Sequence, residues 1–143
     1  RECKGRLIVS VNSQLWREAP NGETVKQEQK MQNTLKNAKK KNLSVILMTH
    51  IPPYDSEPDE KDAYYNLPQK KRMELLALAK DCGVFIWIAG HTHKTKRREY
   101  EGIAILNGET TCNNFDGHPF GFRLLTIYPD NRFEWDFQLL KTE

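Results

Sequence analysis

Three short apolar runs, separated by two longer amphipathic segments, set the pattern of this chain. The runs begin near Leu7, Val45 and Val84, and each ends at polar residues or at a glycine. Short continuous apolar runs are typical of strands buried in a parallel sheet. The two segments between the runs carry apolar residues at helical spacing, so the pattern predicts alternating strands and helices. A helix that joins two parallel strands is expected to form a right-handed crossover.

Capping and breaking residues give these elements their expected bounds. The expected order is a strand within Gly5–Trp16, a helix over Thr24–Lys41, a strand over Ser44–Thr49, a helix from Pro68 to the stop at Gly83, and a strand over Val84–Ala89. Thr24 and Gln27 fit a capping box at the start of the first helix. Pro52 and Pro53 cannot continue the second strand.

After His93 the pattern changes to paired strands. Two hairpins are expected, one turning at Glu101–Gly102 and one at Pro129–Asn131. Within Arg132–Leu140 aromatic and polar residues alternate, which is the period of a half-buried strand. The segment 110–121 between the hairpins is rich in turn residues. The predicted fold class is therefore α/β, with parallel strands and helical crossovers followed by antiparallel hairpins.

Composition excludes several classes of function. The 22 basic and 19 acidic residues are close to balance, so no nucleic-acid partner is expected. No apolar run approaches the ~20 residues of a membrane span, so no membrane partner is expected either. The cysteines, Cys3, Cys82 and Cys112, are odd in number and widely spaced. That pattern favours reduced thiols in a cytoplasm over a disulfide framework.

Three of the four histidines follow the ends of predicted strands. His50 follows the second strand, and Gly90–His93, with the sequence Gly-His-Thr-His, follows the third. Ligands of open α/β sheets bind outside the carboxyl ends of the strands, and imidazole is a common ligand for zinc, iron and manganese. The three histidines are therefore expected to converge on a metal site. The alternative is that His50 is a packed, hydrogen-bonded histidine and that Gly90–His93 is an ordinary turn.

Two further residues are candidates for substrate contact. Tyr54 follows the second strand closely enough to line the mouth of such a site, and His118 lies in the irregular segment between the hairpins. A plain turn histidine before a proline is the alternative for His118. The acidic residues between Asp55 and Asp62 lack the glycine and terminal glutamate of a calcium loop, so a solvated loop is expected there.

Several of these segments together carry a family resemblance. The segments are Asn12–Gln14 after the first strand, His50–Tyr54 after the second, Tyr64–Pro68 before the second helix, Gly90–His93 after the third strand, and Gly121–Arg123 in the last hairpin. In this order they resemble the calcineurin-like metallophosphoesterases, and most of all the calcineurin-like phosphoesterase domain-containing proteins. The resemblance covers nearly the whole chain.

The resemblance implies a fold, a cofactor and a reaction. The fold would be a four-layer αββα sandwich, of which residues 1–143 form the C-terminal part. The cofactor would be two divalent ions, manganese, iron or zinc, with His50 and His91 on the second ion and His93 on the first. Two such ions clamp a phosphate ester and generate a hydroxide that attacks phosphorus in line. The histidine that assists the leaving group is expected outside this chain.

The chain also departs from the family pattern. In the family an Asp-x-His, a Gly-Asp-x-x-Asp and a Gly-Asn-His-Glu motif come before the part seen here, and none of them precedes Ser44 in this chain. The expectation is therefore a fragment that needs the missing N-terminal half as its partner and is inactive by itself. The alternatives are a non-catalytic α/β module with a single structural or adventitious metal, and an interaction domain that uses the aromatic residues of the last hairpin.

Loss of the N-terminal half would also uncover part of the sheet. The apolar residues expected to lose cover are Ile8, Val45, Leu47, Phe85 and Trp87. Monomers rarely expose a large apolar patch, so the isolated chain is expected to form a homodimer.

Overall fold

The structure, a computed structural model, describes residues 1–17, 21–110 and 112–140. Its elements are β1 (Glu2–Cys3), β2 (Arg6–Ser10), a 3₁₀ turn (Ser13–Trp16), α1 (Gly22–Lys40), β3 (Ser44–Met48), α2 (Gln69–Asp81), β4 (Val84–Ala89), β5 (Lys96–Tyr100), β6 (Ile103–Asn107), β7 (Gly121–Ile127) and β8 (Phe133–Leu139). The α/β fold class and both hairpins are confirmed. No helix in the described part of the chain is long and apolar enough to cross a membrane.

Six strands form one sheet in the order β1-β2-β3-β4-β6-β5. Strands β2, β3, β4 and β6 are parallel, while the edge strands β1 and β5 pair antiparallel to their neighbours. Met48 of β3 is opposite Ile88 of β4, so these two strands end at the same level of the sheet. The segments that follow them, which begin at His50 and Gly90, therefore leave the sheet side by side.

The two faces of this sheet are covered by different partners. On one face the side chains of alternate strand residues pack against α1 and α2. The buried residues of that face and of the helices that cover it include Val9, Val45, Leu47, Trp87, Ile105, Met31, Leu35, Leu76 and Ala79. On the other face Ile46, Ile86, Ala104 and Leu106 pack against the hairpin of β7 and β8. The molecule thus has three layers, with the sheet in the middle.

This layering corrects the expected exposure of the sheet. Val45, Leu47 and Trp87 are at most 1% exposed because they lie beneath the helices. Phe85 faces the hairpin and is partly buried there. Ile8 alone of the expected five is exposed, at 36%. The homodimer remains a prediction, but the central strands do not supply the apolar surface for it.

Two local boundaries also differ from the expected ones. The first strand ends at Ser10, because the Asn12 side chain caps a 3₁₀ turn by accepting a hydrogen bond from the Gln14 amide. The first helix begins at Gly22, because Asn21 is its N-cap and forms a capping box with Thr24, the third residue of the helix. The polar Asn-Ser-Gln segment is therefore the start of a turn and not the end of a strand.

The second hairpin depends on one glycine. A Cβ atom at Gly121 would lie 2.3 Å from the ring of Phe137 on β8, so a larger residue does not fit there. With the ring in this place, the guanidinium of Arg123 lies 5.3 Å from the centre of the Phe137 ring and 4.6 Å from the centre of the Trp135 ring. The Gly-Phe-Arg segment thus has a packing role in β7.

Candidate metal centre

His50 leaves β3 in a turn that is fixed by buried hydroxyl groups. The Ser13 hydroxyl is fully buried and accepts hydrogen bonds from the amides of His50, at 3.2 Å, and Ile51, at 2.8 Å. On the other side, the Thr49 hydroxyl donates to the Ile51 carbonyl and accepts from the Trp87 indole. The predicted Asn-Ser-Gln segment therefore contributes to the site by positioning the backbone of His50.

Gly90–His93 forms a tight turn with unusual backbone angles. The amide of Thr92 donates to the Gly90 carbonyl at 2.7 Å, which closes a three-residue turn around His91. His91 has φ of 67° and His93 has φ of 53°. Positive φ is uncommon outside glycine and is concentrated at functional sites. The turn therefore directs both imidazoles away from the strand at a cost in backbone energy.

The structure brings two of the three histidines into contact. Nδ1 of His91 lies 3.0 Å from Nε2 of His50, and the ring centres are 4.8 Å apart. In this structure the contact is a hydrogen bond between the two imidazoles. Two nitrogens bound to one tetrahedral ion at about 2.0–2.1 Å are about 3.3–3.4 Å apart, so the pair lies close to the spacing of two ligands of a single ion.

A hydrogen bond at the second ring nitrogen of His91 fixes the tautomer that a metal ligand needs. Nε2 lies 3.1 Å from the carbonyl oxygen of Tyr64, and a carbonyl only accepts hydrogen bonds. Nε2 therefore carries the hydrogen, and Nδ1 keeps its lone pair on the side of His50. Burial lowers the pKa of His91 below its ordinary value, and the hydrogen bond to the Tyr64 carbonyl only partly opposes this shift. The neutral form, which binds metals, is thus favoured.

His93 is held by a different loop. Its Nδ1 lies 2.8 Å from the carbonyl oxygen of Asn113, so Nδ1 carries the hydrogen and Nε2 keeps the lone pair. The ring of Phe115 stacks on the imidazole, with the centres 5.1 Å apart. Among the described residues, no group of three His, Cys, Asp or Glu side chains is arranged to hold an ion. His93 is therefore placed apart from the pair formed by His50 and His91.

Asn107 is a positioning residue that the sequence analysis missed. It is fully buried at the end of β6, and its amide group donates to the Gly90 carbonyl at 2.9 Å. The same group lies 3.4 Å from the Thr92 hydroxyl, while its oxygen accepts a hydrogen bond from Arg98. Asn107 thus ties the histidine turn to the next strand. Its only sequence signal is a polar residue after a run of four apolar ones.

A cavity of about 320 Å³ opens beside the histidine pair. It is lined by His91 and by the residues Asp55, Tyr64, Tyr65, Thr92, Lys94 and Phe115. A cavity of this size suits a small organic group. The segments on its two sides are the Pro52 loop (residues 50–68) and the Asn113 loop (residues 108–110 and 112–120).

Neither of the two expected substrate contacts lines this cavity. Tyr54 is 1% exposed and its hydroxyl donates to the Glu99 carbonyl, so it is a core residue, and its placement at the mouth of the site is wrong. His118 lies against buried Glu109, 3.5 Å away, and against the edge of the Phe137 ring. Asp116, Gly117 and His118 match the letters of the Asp-x-His motif, but they lie in the Asn113 loop, and Asp116 accepts hydrogen bonds from the amides of Thr95 and His118.

The sequence match agrees with this fold and with this arrangement of strands and histidines. The family model for calcineurin-like phosphoesterase matches residues 4–95, which is more than half of the chain and includes His50, His91 and His93. The chain belongs to the calcineurin-like phosphoesterase family.

Two curated relatives are similar over different lengths. The serine/threonine-protein phosphatase CPPED1 of Danio rerio is 26% identical over 87 residues, which is 61% of this chain and 28% of that protein. The protein of the same name from Mus musculus is 26% identical over 126 residues, which is 86% of this chain and 40% of that protein. The chain therefore spans less than half the length of these relatives.

One solved structure supports the fold. It is described as GAP50, the anchor in the inner membrane complex of Plasmodium, and it matches with a TM-score of 0.59 at 21% identity. The match covers 72% of this chain and 31% of that one.

Proposed function

We propose that this chain is the C-terminal part of a binuclear metal-dependent phosphoesterase domain. His50 and His91 hold one divalent ion between them, and His93 contributes to a second ion. The remaining ligands and the group that protonates the leaving oxygen come from the family motifs that this chain does not carry ahead of Ser44. The single observation that carries the proposal is that the adjacent ends of β3 and β4 bring His50 and His91 together, with Nδ1 of His91 hydrogen-bonded to Nε2 of His50 at 3.0 Å.

The surroundings of the histidines support the same proposal. In two of the three histidines, the ring nitrogen that would not face the ion lies against a backbone carbonyl, that of Tyr64 for His91 and that of Asn113 for His93. Histidine ligands of metals commonly show this second contact, which fixes the tautomer and the ring orientation. Asn107 and Ser13 then hold the backbone on both sides.

The residues of this chain have a limited part in the reaction. When bound, two divalent ions polarise a phosphate ester and activate water for attack on phosphorus. His50, His91 and His93 supply neutral ligands, and they bring no negative charge to offset that of the ions. The carboxylate that bridges the two ions in this family must therefore come from another segment. For this reason we expect the 143-residue chain to bind a divalent ion but to hydrolyse no phosphate ester by itself.

The test measures metal binding before activity. Isothermal titration of the 143-residue chain with zinc and with manganese should give one binding site. His50→Ala should lower the metal affinity by about tenfold or more, because His91 would then be the only histidine left of the pair. His118→Ala is the matched control, since it removes an imidazole outside the cavity, and it should leave binding unchanged. With cobalt as the probe, the absorption of the bound ion should report nitrogen ligands.

Activity separates the proposal from its main alternative. Turnover of an aryl phosphate with manganese should be absent for the chain alone. It should appear when the family motifs are supplied as an N-terminal polypeptide, and it should be lost again with His50→Ala. Metal binding without any restored turnover would favour a non-catalytic module with a single structural ion. Equal zinc affinity of the chain and of His50→Ala would contradict the metal site itself.

A further inference from the structure

Three exposed aromatic rings surround the cavity beside His91. Tyr64 is 76% exposed, Tyr65 is 46% exposed and Phe115 is 61% exposed, and all three line the same cavity. Single exposed apolar side chains are common, but a cluster around one concave site marks a binding surface. Two of these rings also contact the histidines, with the Tyr64 ring 4.7 Å from the His91 ring and Phe115 stacked on His93.

The charges around the cavity favour an anionic ligand. Lys94 lines the cavity, and the described residues form no ion pair with it. Asp55, which also lines the cavity, is paired with Lys96. The guanidinium of Arg17 lies 5.2 Å from the centre of the Tyr64 ring. The carboxylate is therefore already neutralised, and Arg17 already donates to the Tyr64 carbonyl, so Lys94 is the cation that the cavity offers to a ligand.

We propose that this cavity binds the organic part of the ester, and that it selects a planar aromatic group joined to phosphate. The inference rests on the proposed function, because the phosphate must face His91. In this arrangement the ring packs against Tyr65 and Phe115, and Lys94 contacts the anionic oxygens. Tyr65 and Phe115 are thus specificity-determining residues. A tyrosyl phosphate and a nucleotide both have this chemistry.

The physical reason for the selection is the shape and electron distribution of aromatic rings. Aromatic pairs gain from stacked or edge-to-face contact in addition to the area that they bury. A saturated ring of the same size buries a similar area but cannot make these contacts. The cavity volume of about 320 Å³ is enough for one ring with its phosphate.

The experiment compares two phosphonates that cannot be hydrolysed. Phenylphosphonate and cyclohexylphosphonate are titrated into the 143-residue chain, with and without manganese, and binding is followed by isothermal titration calorimetry. We expect phenylphosphonate to bind about 3- to 10-fold more tightly, the range that an aromatic pair contributes. Tyr65→Leu should reduce this preference, and Tyr65→Leu combined with Phe115→Leu should abolish it, whereas Phe122→Leu, which removes a ring of similar exposure from β7, should preserve it.

The outcomes separate this inference from the proposed function. A phenyl preference that depends on Tyr65, with affinities for both phosphonates that manganese does not change, would support the cavity and contradict the metal proposal. Manganese-dependent binding of both phosphonates with equal affinity would support the metal proposal and overturn the inference. Phosphotyrosine and adenosine monophosphate are then compared with phosphoserine. Tighter binding of either aromatic ligand supports the inference and identifies its source, and tighter binding of phosphoserine overturns it.

Discussion

The Pro52 loop and the Asn113 loop each supply a carbonyl to one histidine, but different contacts hold the two loops. In the Pro52 loop, Ile51 and Leu67 are fully buried, and the buried guanidinium of Arg72 donates to the carbonyls of Pro58 and Leu67. Residues 112–120 of the Asn113 loop are exposed apart from half-buried Asn114.

The anchors of the Asn113 loop are ion pairs and hydrogen bonds. Glu109 forms an ion pair with Arg123, Asp116 accepts a hydrogen bond from the Thr95 amide, and the Phe115 amide donates to the His93 carbonyl at 2.9 Å. The comparison teaches that the partner of His91 is fixed by the protein core, whereas the partner of His93 is fixed by charges. The contacts that hold the Asn113 loop should therefore be easier to disrupt than those that hold the Pro52 loop.

The largest effect should follow loss of the buried anchor of the Pro52 loop. Arg72→Met removes the donors to two buried carbonyls, so we expect the free energy of unfolding to fall by about 2–4 kcal/mol. Urea unfolding measures this change, and Lys70→Met, at an exposed neighbouring position, is the control. If both variants were equally stable, the guanidinium would contribute nothing to holding this loop.

A smaller and more local effect should follow loss of the anchor of the Asn113 loop. Arg123→Gln leaves Glu109 without its ion-pair partner, but a surface loop can open and hydrate that carboxylate. We therefore expect a loss of about 1–2 kcal/mol in global stability. Amide hydrogen exchange at Phe115 should accelerate by a larger factor than this loss of global stability would produce.

The exchange measurement has an internal reference and a control. The Nε hydrogen of Arg72, which is bonded to the Pro58 carbonyl at 2.7 Å, should keep its protection in Arg123→Gln. Arg132→Gln, which breaks an exposed ion pair in the turn between β7 and β8, should change neither signal. Equal acceleration at Phe115 and at Arg72 would show that the two loops open together, and the comparison would fail.

The smallest effect should be a loosening of the Asn113 loop in acid. Burial is the largest single influence on Glu109 and opposes its ionisation, but the hydrogen bonds from Arg123, the backbone and Thr95, with the charge of Arg123, together outweigh it and hold the pKa of the carboxyl below its ordinary value. The hydrogen bond from the Thr95 amide lowers the pKa of Asp116 in the same way. Carboxyls with a lowered pKa stabilise the folded state fully above their unfolded pKa, and this stability is lost as the pH falls through the folded pKa.

The pH prediction can be checked with the same two signals. Below about pH 4.5, the ordinary value for Glu109, the protection factor of the Phe115 amide, which is the ratio of its intrinsic to its observed exchange rate, should fall. The Pro52 loop also contains a carboxyl with a lowered pKa, that of Glu60, but Arg72 and the buried apolar residues do not depend on it. If the Arg72 Nε hydrogen lost its protection at the same pH as the Phe115 amide, the expectation that the Asn113 loop loosens first would be contradicted.

Most of the fold could be predicted because it depends on local patterns. The parallel strands follow from their apolar runs, and both hairpins follow from their turn residues and from alternation such as that of Phe133 to Phe137. The contact between His50 and His91 follows from the rule that neighbouring parallel strands end at one edge of the sheet. Whether these histidines bind a metal remains a prediction.

The missed features depend on contacts that the sequence does not encode locally. The histidine partners at Tyr64 and Asn113 are backbone carbonyls, which every residue has. Asn107 lies 17 residues from the glycine that it holds. The sequence did not locate Tyr54 correctly, because a tyrosine can either line a site or bury its ring in the core with its hydroxyl hydrogen-bonded. Only the tertiary structure decides between these two placements.

The left-handed backbone of His91 and His93 has a consequence for mutational scanning of this protein. At these two positions alanine would remove the imidazole and also change the backbone energy, since a left-handed conformation costs most residues about 1–2 kcal/mol. Asparagine adopts this conformation more readily than most residues. His91→Asn and His93→Asn should therefore isolate the contribution of the imidazole, whereas valine or isoleucine at either position should unfold the turn for reasons unrelated to chemistry.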